Sequence, residues 1–500
     1  MRHTRLSSRA REHISRKPFR RSELKPLSAF ESIRDDPAPH VRPPFSTVSV
    51  TSACTAAGKR TRPGRLHKTA MSEPVTQSHP HDHPATTAHP RRIAIVGAGQ
   101  AGLQLALSLL DQGHSLTLIT ERSAEDIENG YVMSSQCLFG TALKLEHQVA
   151  ASQSDDRCPP ITGISFAMSD GASPSSKMTS WRGELASAAM SVDQRLKLAS
   201  WLDLAEEKGA EVRCEVADIA TLETLAASHD LVLVATGRQA ELNRLFERDA
   251  QRSTFDRPQR ALAMTYVHGL QADESADAVS FNLIPGIGEL FVMPAITHSG
   301  PCHIVVLEGV PGGPMDCWQD VVSAQQHLQR TLDVLRKFAP WELADCKTLA
   351  LTDSKGILKG AVTPAVCKPV GMLPSGRCVL GIGDAVLRND PITGQGANTA
   401  VKCSQIYFDE IVRHGAQPFT AEWMSATFER FWQNVGHDVT QWTNSLLSAP
   451  PAHIPLVLGA AAQSASLAGL IANGFDDPST LFPWWIDPVA CEDVLRQHGA

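Results

Sequence analysis

The first regular pattern of apolar and polar positions begins at Arg91. Ile93 to Val96 is a short continuous apolar run, as a strand buried on both faces requires, and Gly97-Ala98-Gly99-Gln100-Ala101-Gly102 follows it directly. Leu103, Ala106, Leu107 and Leu110 then recur at helical spacing, which predicts a helix ending near Gly113. Ser115 to Thr120 reads as a second strand closing on Glu121 and Arg122, so the segment has the make-up of a βαβ unit. Between about 130 and 190 the periodicity weakens and predicts loops with short strands. Arg195 to Lys208 reads as a helix, and Val212 to Val216 and Leu231 to Ala235 as strands, the last followed by Thr236-Gly237.

From roughly 258 to 350 alternation dominates, through Ala261–Val267, Ala278–Leu283, Glu289–Met293 and His303–Leu307, and predicts an antiparallel sheet. Asp320 to Phe338 reads as a helix with Asp320 as its N-cap. Val379-Leu380-Gly381-Ile382-Gly383-Asp384 then returns the chain to the first fold, and the remainder from 398 onward is mainly helical. The longest apolar stretch, Leu456 to Ala472, is interrupted by Gln463, Ser464 and Ser466. It predicts one buried helix, since a membrane span wants roughly 20 apolar residues.

Charge divides the chain unevenly. Residues 1–70 hold 16 Lys+Arg against 5 Asp+Glu, and the remaining residues hold 30 against 48. The acidic body speaks against a nucleic-acid surface. The basic arm, rich in Pro, Ser and Thr, is expected to be disordered, and Met71 is expected to be the native start. His79, His81 and His83, spaced by Pro and Asp, read as a solvated tail rather than a metal site. The eleven cysteines include no CxxC pair, which argues against a disulfide framework or a zinc site. With no signal-peptide h-region, a cytoplasmic enzyme with reduced cysteines is expected.

GxGxxG between a strand and a helix, with Glu121 ending the next strand 24 residues after Gly97, is the setting of a dinucleotide site. Gly97 permits the tight turn, Gly99 lets backbone approach a pyrophosphate, and Gly102 lets helix and strand pack closely. The helix N-terminus offers N–H groups to phosphate, and Glu121 can accept from a ribose. FAD is favoured over NAD by a second constellation. Gly383-Asp384 follows an apolar strand, and Asp390-Pro391 and Gly394-Gln395-Gly396-Ala397-Asn398 open a helix. Such a carboxylate suits sugar or ribityl hydroxyls, and a second helix N-terminus suits the flavin pyrimidine, where reduced flavin carries negative charge.

These segments resemble the glutathione-reductase-type FAD fold of aromatic hydroxylases. More narrowly, together with Phe255-Asp256-Arg257-Pro258-Gln259-Arg260-Ala261-Leu262 and Gly286-Ile287-Gly288-Glu289-Leu290, they are similar to the oxygenase component of styrene and indole monooxygenases over about Arg92 to Phe475. The resemblance implies an α/β chain: a Rossmann FAD-binding fold with an inserted antiparallel-sheet substrate domain and a helical C-terminal part. The expected divisions are a disordered extension at 1–90, the first FAD-binding part at 91–255, the substrate domain at 256–350, the FAD-binding return at 351–400 and the helical region at 401–500. Cofactor-contacting residues are expected at Gly97, Gly99, Gln100, Ala101, Gly102, Glu121, Arg122, Arg195, Val216, Thr236, Gly237, Gly383, Asp384, Pro391, Gly394, Gly396, Ala397 and Asn398.

The resemblance also implies a mechanism. A separate NADH:flavin reductase supplies FADH2, oxygen adds at flavin C4a, and the hydroperoxide passes an electrophilic oxygen to an electron-rich aromatic alkene. That chemistry needs a dry, orienting pocket and no catalytic triad. Thr236-Gly237 stands where one-component hydroxylases carry an Asp-Gly motif associated with NADPH, and no second GxGxxG exists. At six pocket positions, Ser134, Gln136, Leu138, Ile161, Ile164 and Ala189, the chain resembles indole-type members in five and has Leu138 in place of a near-isosteric Met. Indole is therefore expected ahead of styrene, with no membrane or nucleic-acid partner and with a homodimer allowed. The alternatives are a one-component NAD(P)H-dependent hydroxylase and a non-enzymatic flavin-binding or redox-sensing protein. Pro483-Trp484-Trp485-Ile486 only superficially resembles a halogenase motif and reads as packing or surface.

Overall fold

The computed structural model describes residues 90–150, 155–237, 240–270, 276–344, 346 and 348–499. The basic arm, Met71 and the histidine cluster lie outside them. The continuous apolar runs form the middle of a six-stranded sheet, ordered Val370–Met372, Cys378–Gly381, Leu231–Val234, Arg92–Val96, Ser115–Thr120 and Glu211–Cys214. Every pairing is parallel except that of the first two strands. Ile93 pairs with Leu116 on one side and Leu231 on the other, so Arg92–Val96 is flanked by strands and Ile93 to Val96 are all buried. Helix Gln100–Asp111 packs against helix Gly396–His414, where the Ser404 hydroxyl donates to the Ala101 carbonyl at 2.9 Å. The N-terminal dinucleotide motif and the distant Gly-rich motif thereby meet.

The second sheet is nine-stranded. Its main path runs Ala350–Leu351, Ala261–His268, Gly300–Gly309, Gly288–Thr297, Ala278–Ile284, Ile161–Ser169, Lys177–Ser191 and Cys137–Leu138, with Ile357–Gly360 also on Ala261–His268. Strand Gly288–Thr297 is buried along its whole length because both faces of the sheet are covered. Leu290 and Val292 point into a cluster with Leu328 and Leu335 of helix Ala324–Phe338. The intervening Phe291 and Met293 join Phe166, Phe281, Trp442, Leu467 and Ile471 on the other side. That division follows from the two-residue period of a strand.

Four expectations change. The stretch 130–190 contains two long strands, Ile161–Ser169 and Lys177–Ser191, which join the second sheet, so that sheet draws on residues either side of the expected boundary at 256. Ile161–Ser169 even pairs in parallel with Ala278–Ile284. Helix Ala324–Phe338 is capped by Ser323, whose hydroxyl accepts from the Gln326 N–H at 3.2 Å while the Gln326 side chain accepts from the Ser323 N–H. Asp320 instead pairs with Arg330 at 3.0 Å. Leu456–Ala472 is split between helices Ile454–Ala460 and Ala465–Asn473, because the Ser464 hydroxyl caps the second one. No described helix is long and apolar enough to cross a membrane.

Candidate functional site

Two joined cavities lie along the seam between the first sheet and the second. One, of about 520 Å³, is built by the turn after Arg92–Val96: Gly97, Ala98, Gly99, Gln100 and Ala101 line it, with Glu121 and Arg122 from the end of the second strand and Ala235, Thr236 and Gly237 from the fourth. The other, of about 570 Å³, runs over Gly383, Asp384, Asn389, Pro391, Gly394, Gly396, Ala397 and Thr399 to an apolar wall of Leu262, Ala263, Met264, Val306 and Leu358. Met133, Ser134, Asp384 and Gly396 border both, so the two form one elongated space.

The first cavity fits a dinucleotide. Gly97 sits at φ +116°, in the region that favours glycine, and turns the backbone out of the strand. A Cβ on Gly102 would lie 2.0 Å from the Gly97 carbonyl oxygen, so only glycine lets the helix start this close to the strand. A Cβ on Gly99 would meet no protein atom within 4 Å, which leaves the space a pyrophosphate needs at the helix N-terminus. Gln100 Nε2 donates to Glu146 at 2.9 Å, and Glu146 in turn receives the Lys197 ammonium at 2.7 Å, a buried anchor behind the loop. The second cavity fits a flavin head. Helix Gly396–His414 begins at it, and the Asp384 carboxylate comes within 3.2 Å of where a Gly237 side chain would begin, which joins the two sequence motifs.

Not every expected cofactor residue faces this space. Gly102 packs against the strand, as described. Asn398 is buried, donating to the Cys137 and Gly394 carbonyls at 2.9 and 3.0 Å and accepting the Phe139 N–H at 2.9 Å. It therefore shapes the turn instead of lining the cavity. Arg195 is turned away: its guanidinium pairs with Asp193 at 2.7 Å and Asp353 at 2.9 Å, and it also donates to Thr297. Buried at 2% exposure, it is held by carboxylates rather than by the dinucleotide cavity. Val216 is 72% exposed, between the lining residues Glu215 and Ala217.

Of the six expected pocket residues, Ser134 and Gln136 line the larger cavity. Leu138 packs with Ala142, Leu143 and Val401. Ile161, Ile164 and Ala189 lie fully buried in the cluster that holds Phe166, Tyr266 and Phe291, and none of these four lines either cavity. Gln136 has φ +29°, the only non-glycine residue with positive φ among the described residues. Its Nε2 donates to the Tyr266 hydroxyl at 2.9 Å, and that hydroxyl donates to the Ser134 carbonyl at 2.9 Å. Gln136 Oε1 is buried with no donor among the described residues.

Three cations absent from the expected set also line the larger cavity: Arg248, Lys359 and Arg388. Arg388 donates to the Asp384 carbonyl at 2.8 Å, and Lys359 to the Trp318 and Val321 carbonyls at 2.9 and 2.6 Å. Arg388, just before Asp390-Pro391, was within reach of the motif; nothing in the sequence marks Arg248 or Lys359. Trp484 and Trp485 are buried with Trp442 and line neither cavity.

Comparisons with known proteins agree with this geometry. A family model described as "Styrene monooxygenase A putative substrate binding domain" matches residues 237–344. A styrene monooxygenase StyA of Pseudomonas fluorescens is 29% identical over 418 residues, covering 82% of this chain and 98% of the relative. A second StyA, from Pseudomonas sp, is 28% identical over 397 residues, covering 78% and 93%. Among solved structures, the flavin-dependent brominase Bmp2 superposes with a TM-score of 0.56 at 15% identity, covering 82% of this chain and 100% of its own. A flavoprotein/dehydrogenase from Cytophaga hutchinsonii gives 0.56 at 14% identity, covering 78% and 95%. At such identities the two structures speak for the fold alone. Fold, site and relatives together define an FAD-dependent monooxygenase. More narrowly, the chain is similar to oxygenases of the styrene monooxygenase type.

Proposed function

We propose that this oxygenase takes FADH2 from a separate NADH:flavin reductase and transfers one atom of molecular oxygen to the electron-rich double bond of a small aromatic substrate, with indole preferred over styrene. Reduced flavin, when bound, would supply the two electrons that activate molecular oxygen for transfer of one atom, the other leaving as water. The chain's own residues bind, orient and exclude water. Gly97, Gly99 and the N-terminus of helix Gln100–Asp111 hold the pyrophosphate, and Glu121 accepts from the adenosine ribose. Asp384 receives ribityl hydroxyls, and the start of helix Gly396–His414 faces the pyrimidine edge. Leu262, Met264, Val306 and Leu358 keep the reacting end apolar.

The preference for indole rests on one observation: Gln136 lines the cavity, and its buried Oε1 lacks a donor among the described residues. Indole carries an N–H that styrene lacks, and filling a buried empty acceptor favours the ligand that fills it, by about 1 kcal/mol or more. Tyr266 holds the amide so that its oxygen, not its nitrogen, is left over.

The test supplies the purified chain with FAD, NADH, catalase and an unrelated NADH:flavin reductase, and offers indole and styrene in competition. Blue indigo in excess over styrene oxide supports the reading. Styrene oxide in excess overturns the preference while leaving the monooxygenase intact. Pigment formed from NADPH or NADH without any reductase would move the protein to the one-component class.

A further inference from the structure

Beneath the larger cavity lies a group of acids that the oxygenase reading does not use. Glu308 stands directly across from Glu289 in the pairing of strands Gly288–Thr297 and Gly300–Gly309, an arrangement that repels when both are charged. Of these two acids Arg260 pairs with Glu289, with Nε at 2.6 Å and Nη2 at 2.9 Å from its two oxygens. Glu308 is 0% and Asp390 1% exposed. Among the described residues no N–H or hydroxyl reaches either carboxyl oxygen of Glu308. The Asp390 carboxyl is its charged neighbour, and Asp390 Oδ2 is likewise buried with no donor among the described residues. Two carboxylates cannot bond to each other without a proton between them. Asp390 meanwhile accepts the Ile392 N–H at 3.2 Å and caps the turn Pro391–Thr393. The neighbours of the pair, Leu262 opposite Glu308 and Asn389 and Pro391 beside Asp390, all line the cavity.

We propose that Glu308 and Asp390 share one proton, Glu308 donating as a neutral acid, and that this bond docks the Asp390–Gly394 turn of the cofactor motif onto the second sheet. Glu308 is then a positioning residue for the flavin. The charge count agrees: three buried acids face one guanidinium, and a retained proton removes one of two uncompensated charges. Burial, then the Asp390 and Glu289 charges, push the Glu308 carboxyl well above its ordinary range against the opposing pull of Arg260. Asp390 is raised too, chiefly by burial, with the hydrogen bond from Glu308 and the charge of Arg260 working the other way. The bond is therefore complete at low pH and weakens as pH rises through the raised folded value.

The test titrates the full chain with oxidised FAD by fluorescence, with no turnover, and records infrared spectra of the same samples. Glu308→Gln keeps a donor to Asp390; Glu308→Ala removes it. The expected result is near-wild-type FAD affinity for Glu308→Gln and a loss of about tenfold or more for Glu308→Ala, the scale of a buried acceptor left without its donor. The infrared stretch of a protonated carboxyl should be present in the wild type at neutral pH and weaker in Glu308→Gln. Equal affinity loss in both variants, or no protonated-carboxyl stretch in the wild type, overturns the proposal. The wild-type infrared result stands even where a variant does not fold. Failure of the wild type to bind FAD at all would count against the cofactor assignment and leave the infrared test of the pair in force.

Discussion

Gln136 and Tyr266 are joined amide to hydroxyl at 2.9 Å, 130 positions apart, across the boundary between the cavity loop and the second sheet. The bond fixes which end of the amide is left without a partner, and Gln136 stands at a positive φ that costs a non-glycine residue of order 1 kcal/mol. Gln136→Leu should therefore lower kcat/KM for indole more than for styrene, by about tenfold for one lost hydrogen bond. Equal losses on the two substrates would remove Gln136 from the account of preference. Tyr266→Phe should act in the same direction through Gln136, without touching the substrate itself.

The two glycines of the dinucleotide turn separate folding from binding. Gly102→Ala places a methyl 2.0 Å from the Gly97 carbonyl oxygen and should lower the melting temperature of the apoprotein as well as FAD binding. Gly99→Ala meets no protein atom within 4 Å, so it should leave the apoprotein melt unchanged and weaken FAD alone. Thermal melts and FAD titrations of the two variants check this; a destabilised Gly99→Ala apoprotein would show that the space is not reserved for ligand.

Arg195 predicts a loss of stability. Arg195→Met leaves Asp193, 1% exposed, without its cationic partner, at a cost of about 3–5 kcal/mol for a broken buried pair. A denaturant melt should show that loss, while FAD affinity of the folded fraction stays unchanged. A selective fall in FAD affinity with no stability change would return Arg195 to the cofactor site.

Burial shapes the acid limb of stability. Desolvation lowers His303 to about 4, with the charge of His268 adding to it, and lowers His327 to about 4, with Lys359 adding and the Met264 backbone opposing. Both have folded values below the ordinary 6.5, so the unfolded chain binds more protons between those limits. The contribution of these two histidines to stability should be constant above about pH 6.5 and fall as pH drops towards 4. His327→Gln should flatten that fall in a series of thermal melts, and an unchanged slope would mean that other groups carry it.

The dinucleotide half of the site was legible because its physics is local: Ile93 to Gly102 and Glu121 sit in one βαβ unit, and each glycine answers a steric demand a few residues away. The Asp384–Asn398 segment was legible as a second helix opening, although Asn398 turned out to bond the Cys137 and Gly394 carbonyls. Lys177–Ser191 was hidden because several of its outward positions are polar and half exposed, which blurs the alternation. The capping box at Ser323 and Gln326 has a local sequence signature that competes with Asp320, whose charge instead belongs to Arg330. Arg248, Lys359 and the Glu308–Asp390 pair depend on segments that meet only in the folded chain, and no spacing announces such a meeting.

The central claim is that reduced flavin and oxygen suffice. FAD reduced by light under anaerobic conditions, bound to the purified chain and then mixed with oxygenated buffer containing indole, contains no nicotinamide at all. The account predicts oxygenated indole product in proportion to the bound FADH2. Product that forms only after NADH or NADPH is added would contradict it, and so would flavin reoxidation that yields hydrogen peroxide and no product from either indole or styrene.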